Sequence, residues 1–159
     1  MAFESLTDTR ISLLLEMPKR ITNPTARTVV DANHDKREYQ VESRDGEERF
    51  RLFVRQNKTV PDDFSCGLQW LPGGDENLIL VRYNGSSHSH PNHLEGDRLE
   101  DVCHIHLATE RYVQANLKPE GFAKKAETYR TCDGALHQLV CDCNITGLET
   151  QADQRELFG

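Results

Sequence analysis

The chain has 159 residues, 36% hydrophobic and 28% charged, with 26 acidic against 19 basic residues and a formal net charge of −7. This length fits one domain with one core over residues 1–159, and no run approaches the ~18 consecutive apolar residues of a membrane span. The acidic balance excludes broad, sequence-independent coating of nucleic acid, which needs many Lys and Arg contacts to phosphate, but leaves room for a local basic site.

The start, Met1-Ala2-Phe3-Glu4, lacks the basic and apolar regions of an export signal, so a cytoplasmic protein is expected. Ser5-Leu6-Thr7-Asp8 reads as a capping box, and Ile11, Leu14 and Leu15 recur at helical spacing until Pro18 stops the helix. Residues 19–37 are polar and without period, a surface connection with at most a short strand near Val29-Val30. From Glu38 the period becomes two. Tyr39 and Val41 alternate with polar residues, Asp45-Gly46 is a hairpin signal, and Phe50, Leu52 and Val54 alternate with Arg49, Arg51, Phe53 and Arg55. Phe64–Leu71 and Leu78–Tyr83, separated by Pro72-Gly73-Gly74-Asp75, complete a four-stranded meander.

Residues 84–101 read as a long loop rich in Gly, Ser, Pro and His, of a length that is usually functional. Val102–Leu107 is a fifth strand, with Cys103, Ile105 and Leu107 on one face and His104 and His106 on the other. A helix opens at Ala108 or Thr109 and runs to about Leu117, and Pro119-Glu120-Gly121 breaks it. A last helix follows Thr131 as N-cap, with Cys132, Leu136, Leu139, Val140 and Cys143 on its core face. Residues 149–159 read as a frayed tail. The expected fold is α+β: an N-terminal helix, an antiparallel sheet of about five strands, and two C-terminal helices covering one sheet face. The five cysteines, at 66, 103, 132, 141 and 143, are expected to be reduced packing residues, and Cys141-x-Cys143 has neither zinc-knuckle nor redox spacing.

Five of the seven histidines fall within residues 88–106, bracketed by Arg82-Tyr83-Asn84-Gly85 and Thr109-Glu110-Arg111-Tyr112. Imidazole is the side chain suited to proton transfer near neutrality. One chemistry uses no metal: His104 and His106 are acid and base, Glu110 is a base partner or only a first-turn charge, and Arg111 stabilises developing charge. Arg82, Tyr83, Asn84, His88, His90, Arg51, Arg55 and Tyr112 would then hold an RNA or another phosphate-bearing substrate, with Tyr83, Tyr112 or Phe53 stacking on a base. The alternative is a zinc site drawn from His88, His90, His93, His104 and His106. His88-x-His90-x-x-His93 approaches the zinc run of metallo-β-lactamase-like hydrolases, but Asn92 replaces its aspartate and the chain after His93 is too short for the rest of that fold. No phosphate-cradling glycine loop and no nucleophile elbow occurs.

The segments Phe50–Gln56, Asp63–Leu68, Arg82–Gly85 with His90-Pro91-Asn92, and His104–Tyr112 make the chain, from about Leu6 to Leu148, resemble a family of short uncharacterised bacterial proteins. The resemblance implies a bacterial accessory protein of the toxin–antitoxin or phage-defence kind and brings no established catalytic residues with it. Two functions are therefore expected in parallel. One is a small toxin-type enzyme acting on RNA, and the other is a non-catalytic binding or immunity module with a cognate protein partner such as an antitoxin. No membrane partner is expected.

Overall fold

The computed structural model describes residues 5–148; the tail expected over 149–159 lies outside the described residues. The elements in chain order are α1 (Asp8–Glu16), β1 (Lys19–Ile21), β2 (Val29–Asp31), β3 (His34–Ser43), β4 (Arg49–Asn57), β5 (Phe64–Gly73), β6 (Glu76–Asn84), β7 (His90–Asn92), β8 (Asp97–Leu99), β9 (His104–Leu107), α2 (Glu110–Gln114), β10 (Phe122–Lys125), α3 (Cys132–Asp142) and β11 (Ile145–Thr146). The class is α+β, as expected, but the main sheet has nine strands rather than five, in the order β10-β9-β6-β5-β4-β3-β1-β11, with β2 paired to β3. All its pairings are antiparallel except β1 with β11.

The additional strands are the short ones. β1, β10 and β11 hold two to four residues each, too few to show a period, and long-range pairing holds them in place. The segment 19–37 is therefore only partly a surface connection. Lys19, inside it, is fully buried and donates from Nζ to the carbonyls of Leu15 (2.7 Å), Met17 (2.9 Å) and Cys143 (2.8 Å), tying the ends of α1 and α3 to the sheet. Burial pulls its ammonium down to about 8.

The N-cap of α1 is Thr7 and not Ser5. Thr7 is extended and accepts the Arg10 N–H at 3.1 Å, while Leu6 and Ile11, the residue before the cap and the fourth of the helix, both enter the core. That core lies on one face of the sheet. Phe50, Leu52, Cys66, Leu68 and Leu80 meet Leu14 of α1 and Ala135, Leu136 and Leu139 of α3. Each fully buried Leu or Phe contributes roughly 1.5–3 kcal/mol. All five cysteines are free thiols, with Cys66 and Cys143 buried in the core, and burial pushes the Cys66 thiol well above its ordinary value.

Only α3 of the two C-terminal helices covers the sheet. The other, α2, ends at Gln114 instead of about Leu117 and packs against the segment 84–101. That segment is not a plain loop, because it contains the hairpin β7–β8. Tyr112 of α2 is fully buried, and its hydroxyl donates to Glu95 Oε1 at 2.6 Å while accepting the Leu94 N–H at 3.3 Å. Gly121 must be a glycine here, since a Cβ would stand 2.6 Å from the Tyr112 ring.

The hairpin is joined to β10 by Asn92, whose side chain donates to the Ala123 carbonyl and accepts the Ala123 N–H, both at 2.9 Å and buried. Asn92→Ala leaves both backbone groups unpaired, at about 1–3 kcal/mol for each buried orphan. We expect an unfolding free energy lower by about 2 kcal/mol in urea titration, with earlier amide exchange over residues 90–99.

Candidate functional site

Paired residues on antiparallel strands project from the same side of the sheet, so register decides what meets. Two rows cross the face opposite the core. One runs Arg55, Ser65, Asn84, His104 and the other Phe53, Gly67, Arg82, His106. Arg51, two residues before Phe53 on β4, shares that face. The β4 arginines Arg51 and Arg55 and the strand histidines, separated by 49 or more residues in sequence, are thus on one surface.

Arg55, Arg82, Asn84, His88 and His104 line one cavity of about 170 Å³, with Asp63, Phe64, Ser65, Gly85 and Ser87 completing it. A shallower groove of about 390 Å³ continues from it over Arg51, Phe53 and Gln69, with Arg55, Ser65 and Arg82 common to both. A larger cleft of about 570 Å³ lies beside Glu38–Glu42 and Arg49–Arg51 and contains no imidazole.

The cavity's side chains are held in place. Arg82 Nε donates to Asn84 Oδ1 at 3.2 Å, and its Nη1 stands 3.9 Å from the buried Glu120 carboxylate. Burial lowers the Arg82 guanidinium from its ordinary value, and the Glu120 charge restores part of that shift. Arg55 Nη2 donates to His34 Nδ1 at 3.3 Å, and His34 Nε2 in turn donates to Asp63 Oδ2 at 3.2 Å. Burial tends to raise the Asp63 carboxyl, but hydrogen bonds from Asn57 and His34 outweigh it and hold the group below the usual carboxylate value. Beneath the site, the Tyr129 hydroxyl lies 2.8 Å from the Asn84 carbonyl and 3.0 Å from that of His104, fixing the end of β6 against β9.

His104 and His106 are 2% and 3% exposed, with ring centroids 5.0 Å apart, and His90 of the hairpin stands 4.5 Å from His106 and 5.9 Å from His104. Each ring gives one N–H to a backbone carbonyl: His104 Nδ1 to Val102 (2.8 Å), His106 Nδ1 to Glu120 (2.9 Å), His90 Nε2 to Gly121 (2.6 Å). A carbonyl only accepts, so these contacts assign the tautomers. Burial lowers the pKa of His104, and burial together with Arg82 and the neighbouring imidazoles takes His106 down to about 3. Both rings are neutral at pH 7. Among the described residues no three His, Cys, Asp or Glu side chains are arranged to hold a metal ion, so the zinc alternative has no preformed cage.

Several expected site residues lie elsewhere. Glu110 accepts the Asp8 N–H at 3.2 Å while Asp8 accepts the Glu110 N–H at 2.9 Å, so the two carboxylates cap each other's helix and Glu110 does not line the cavity. Arg111 pairs with Glu95 of the hairpin, and Tyr112 is buried beside it. Tyr83 projects to the core face, stacked 5.7 Å from Tyr129 and hydrogen-bonded to Asp142. None of these four lines the cavity. His88 is 78% exposed at the rim, its Nε2 4.0 Å from Asp63 Oδ1. The sequence reading missed His34, Asp63, Ser65, Glu120 and Tyr129. Only Ser65 carried a signal, its place in a strand of alternating polarity, while the others stand in segments without a period.

A mostly antiparallel sheet with α3 on its core face and a polar cavity lined by Arg55, Arg82, His88 and His104 on the other defines an α+β protein with a candidate site on its open sheet face. The chain belongs to a family of unknown function (DUF6978), whose model matches residues 6–145. No curated protein and no solved structure matches it. No helix among the described residues is long and apolar enough to cross a membrane.

Proposed function

We propose that the cavity binds a phosphate group of RNA or of another phosphate-bearing substrate and that His104 acts there as general base. The observation that carries this is the convergence of two guanidinium groups and a neutral imidazole on one small cavity in a chain of net charge −7. Arg55 and Arg82 hold the phosphate charge through directed N–H groups, and Ser65 and Asn84 offer further hydrogen bonds. His104 takes the proton from the attacking hydroxyl through Nε2, since its Nδ1 is committed to Val102.

His106 does not serve as the acid. A ring with a pKa of about 3 carries no acidic proton to give at neutral pH, and it stays beside His104, ring centroids 5.0 Å apart, as a positioning group. His88, exposed at the mouth, is the imidazole placed to protonate a leaving group. The site suits a small toxin-type or defence-associated protein, and an antitoxin-like partner would act by covering the mouth at His88.

Calorimetry with inorganic phosphate, and a short RNA followed for cleavage, test this proposal. Arg55→Met, at an exposed position, is expected to weaken phosphate binding roughly tenfold, as loss of a charge-assisted hydrogen bond does. Equal binding by wild type, Arg55→Met and Arg82→Met would overturn the proposal. Phosphate binding with no cleavage of any RNA would mark a binding module instead of an enzyme.

A further inference from the structure

Phe53 has no part in the core, although it is an aromatic residue in the middle of a nine-residue strand. The tip of its ring reaches over Gly67 on the neighbouring strand, where a Cβ would stand 2.4 Å from it. Gly67 is followed in the same row by Arg82, so the absence of its side chain lets the Phe53 ring extend across the row toward that guanidinium. Arg51 and Arg55 flank Phe53 along β4, and all three border the groove that leads out of the cavity. Of the groove's charged residues, Glu38 is acidic, and it is held 3.6 Å from Arg51 at the outer edge.

We infer that this groove is a base-stacking platform for a single strand of RNA: one phosphate sits in the cavity between Arg55 and Arg82, and the adjacent base lies on Phe53. Every base offers a π-face, so the platform is tolerant of sequence. A base within a duplex is already stacked and paired, and its faces are not free to stack on a protein ring, so single strands are preferred over duplexes. The inference rests on the phosphate-binding reading of the cavity and extends it to a substrate class.

The test is fluorescence anisotropy with a labelled single-stranded RNA octamer and its duplex, beside calorimetry with inorganic phosphate. The octamer is expected to bind more tightly than the duplex. Phe53→Leu, which keeps an apolar side chain without a π-face, is expected to weaken octamer binding about 5- to 100-fold. Phe53→Tyr is expected to restore it, and phosphate binding should be the same in all three proteins. Octamer binding unchanged in Phe53→Leu, or a duplex bound as tightly as the strand, overturns the platform while leaving the cavity reading intact. Octamer binding that needs Phe53 but is unaffected by Arg55→Met or by competing phosphate overturns the cavity reading and with it this placement of the strand.

Discussion

His104→Ala is expected to lower RNA cleavage by about 10²- to 10⁴-fold, the range that a positioned general base contributes. His104 borders the cavity, its Nδ1 proton is fixed on the Val102 carbonyl, and its remaining nitrogen is unprotonated at neutral pH. The loss should fall on kcat, with KM changing little, because Arg55 and Arg82 are untouched and continue to hold phosphate. His106→Gln serves as the comparison. If His106 is a positioning group, its replacement lowers the rate less than His104→Ala does and leaves the form of the pH–rate profile unchanged. The lowered pKa of His104 also gives the profile a direction: the base stays deprotonated to lower pH than an ordinary histidine, so the acidic limb of the profile should lie below 6.5. Full cleavage by His104→Ala, or an acidic limb at pH 6.5, would remove His104 from the base role.

What could be read in the sequence follows from where local pattern decides the structure. The Asp45-Gly46 turn between two alternating runs gave β3 and β4, and the alternation along Val102–Leu107 put His104 and His106 on one side. Neither observation could say that β6 and β5 lie between β9 and β4, and it is this order that brings Arg55 to His104. Tyr83 lies on the core face although parity alone separates it from Arg82. The near-continuous apolar run of Leu78–Tyr83 suggested a strand buried on both sides and concealed its two faces. Glu110 is ambiguous in sequence for a different reason. A carboxylate in the first turn of a helix is consistent with catalysis and with capping, and only the presence of Asp8, 102 residues earlier, decides for capping. The hairpin β7–β8 shows no period because long-range bonds hold it, from Asn92 to Ala123 and from His90 to Gly121.

The burial that makes the imidazoles neutral also makes the protein sensitive to acid, and His106 sets the size of the effect. In the unfolded chain it titrates near 6.5; in the fold it does so at about 3. Between those values the unfolded state binds a proton that the folded state refuses, so stability is unaffected above pH 6.5 and declines as the pH falls toward 3, by about 1.4 kcal/mol per pH unit. At pH 4 the deficit from His106 alone is about 3 kcal/mol, a large part of the ~5–15 kcal/mol that holds a domain together. His104, shifted in the same direction, adds to it. His106→Leu separates this linkage from simple loss of packing. At pH 7 the variant should be less stable than wild type by about 1–3 kcal/mol, because the Glu120 carbonyl loses the Nδ1 proton. At pH 4 wild type bears the protonation deficit at this position and the variant does not, so the difference should shrink to zero or reverse. Urea midpoints for both proteins from pH 4 to 8 measure this directly. Parallel pH curves would show that His106 is protonated as readily in the fold as outside it, and the neutral-imidazole account of the site would fail with that result.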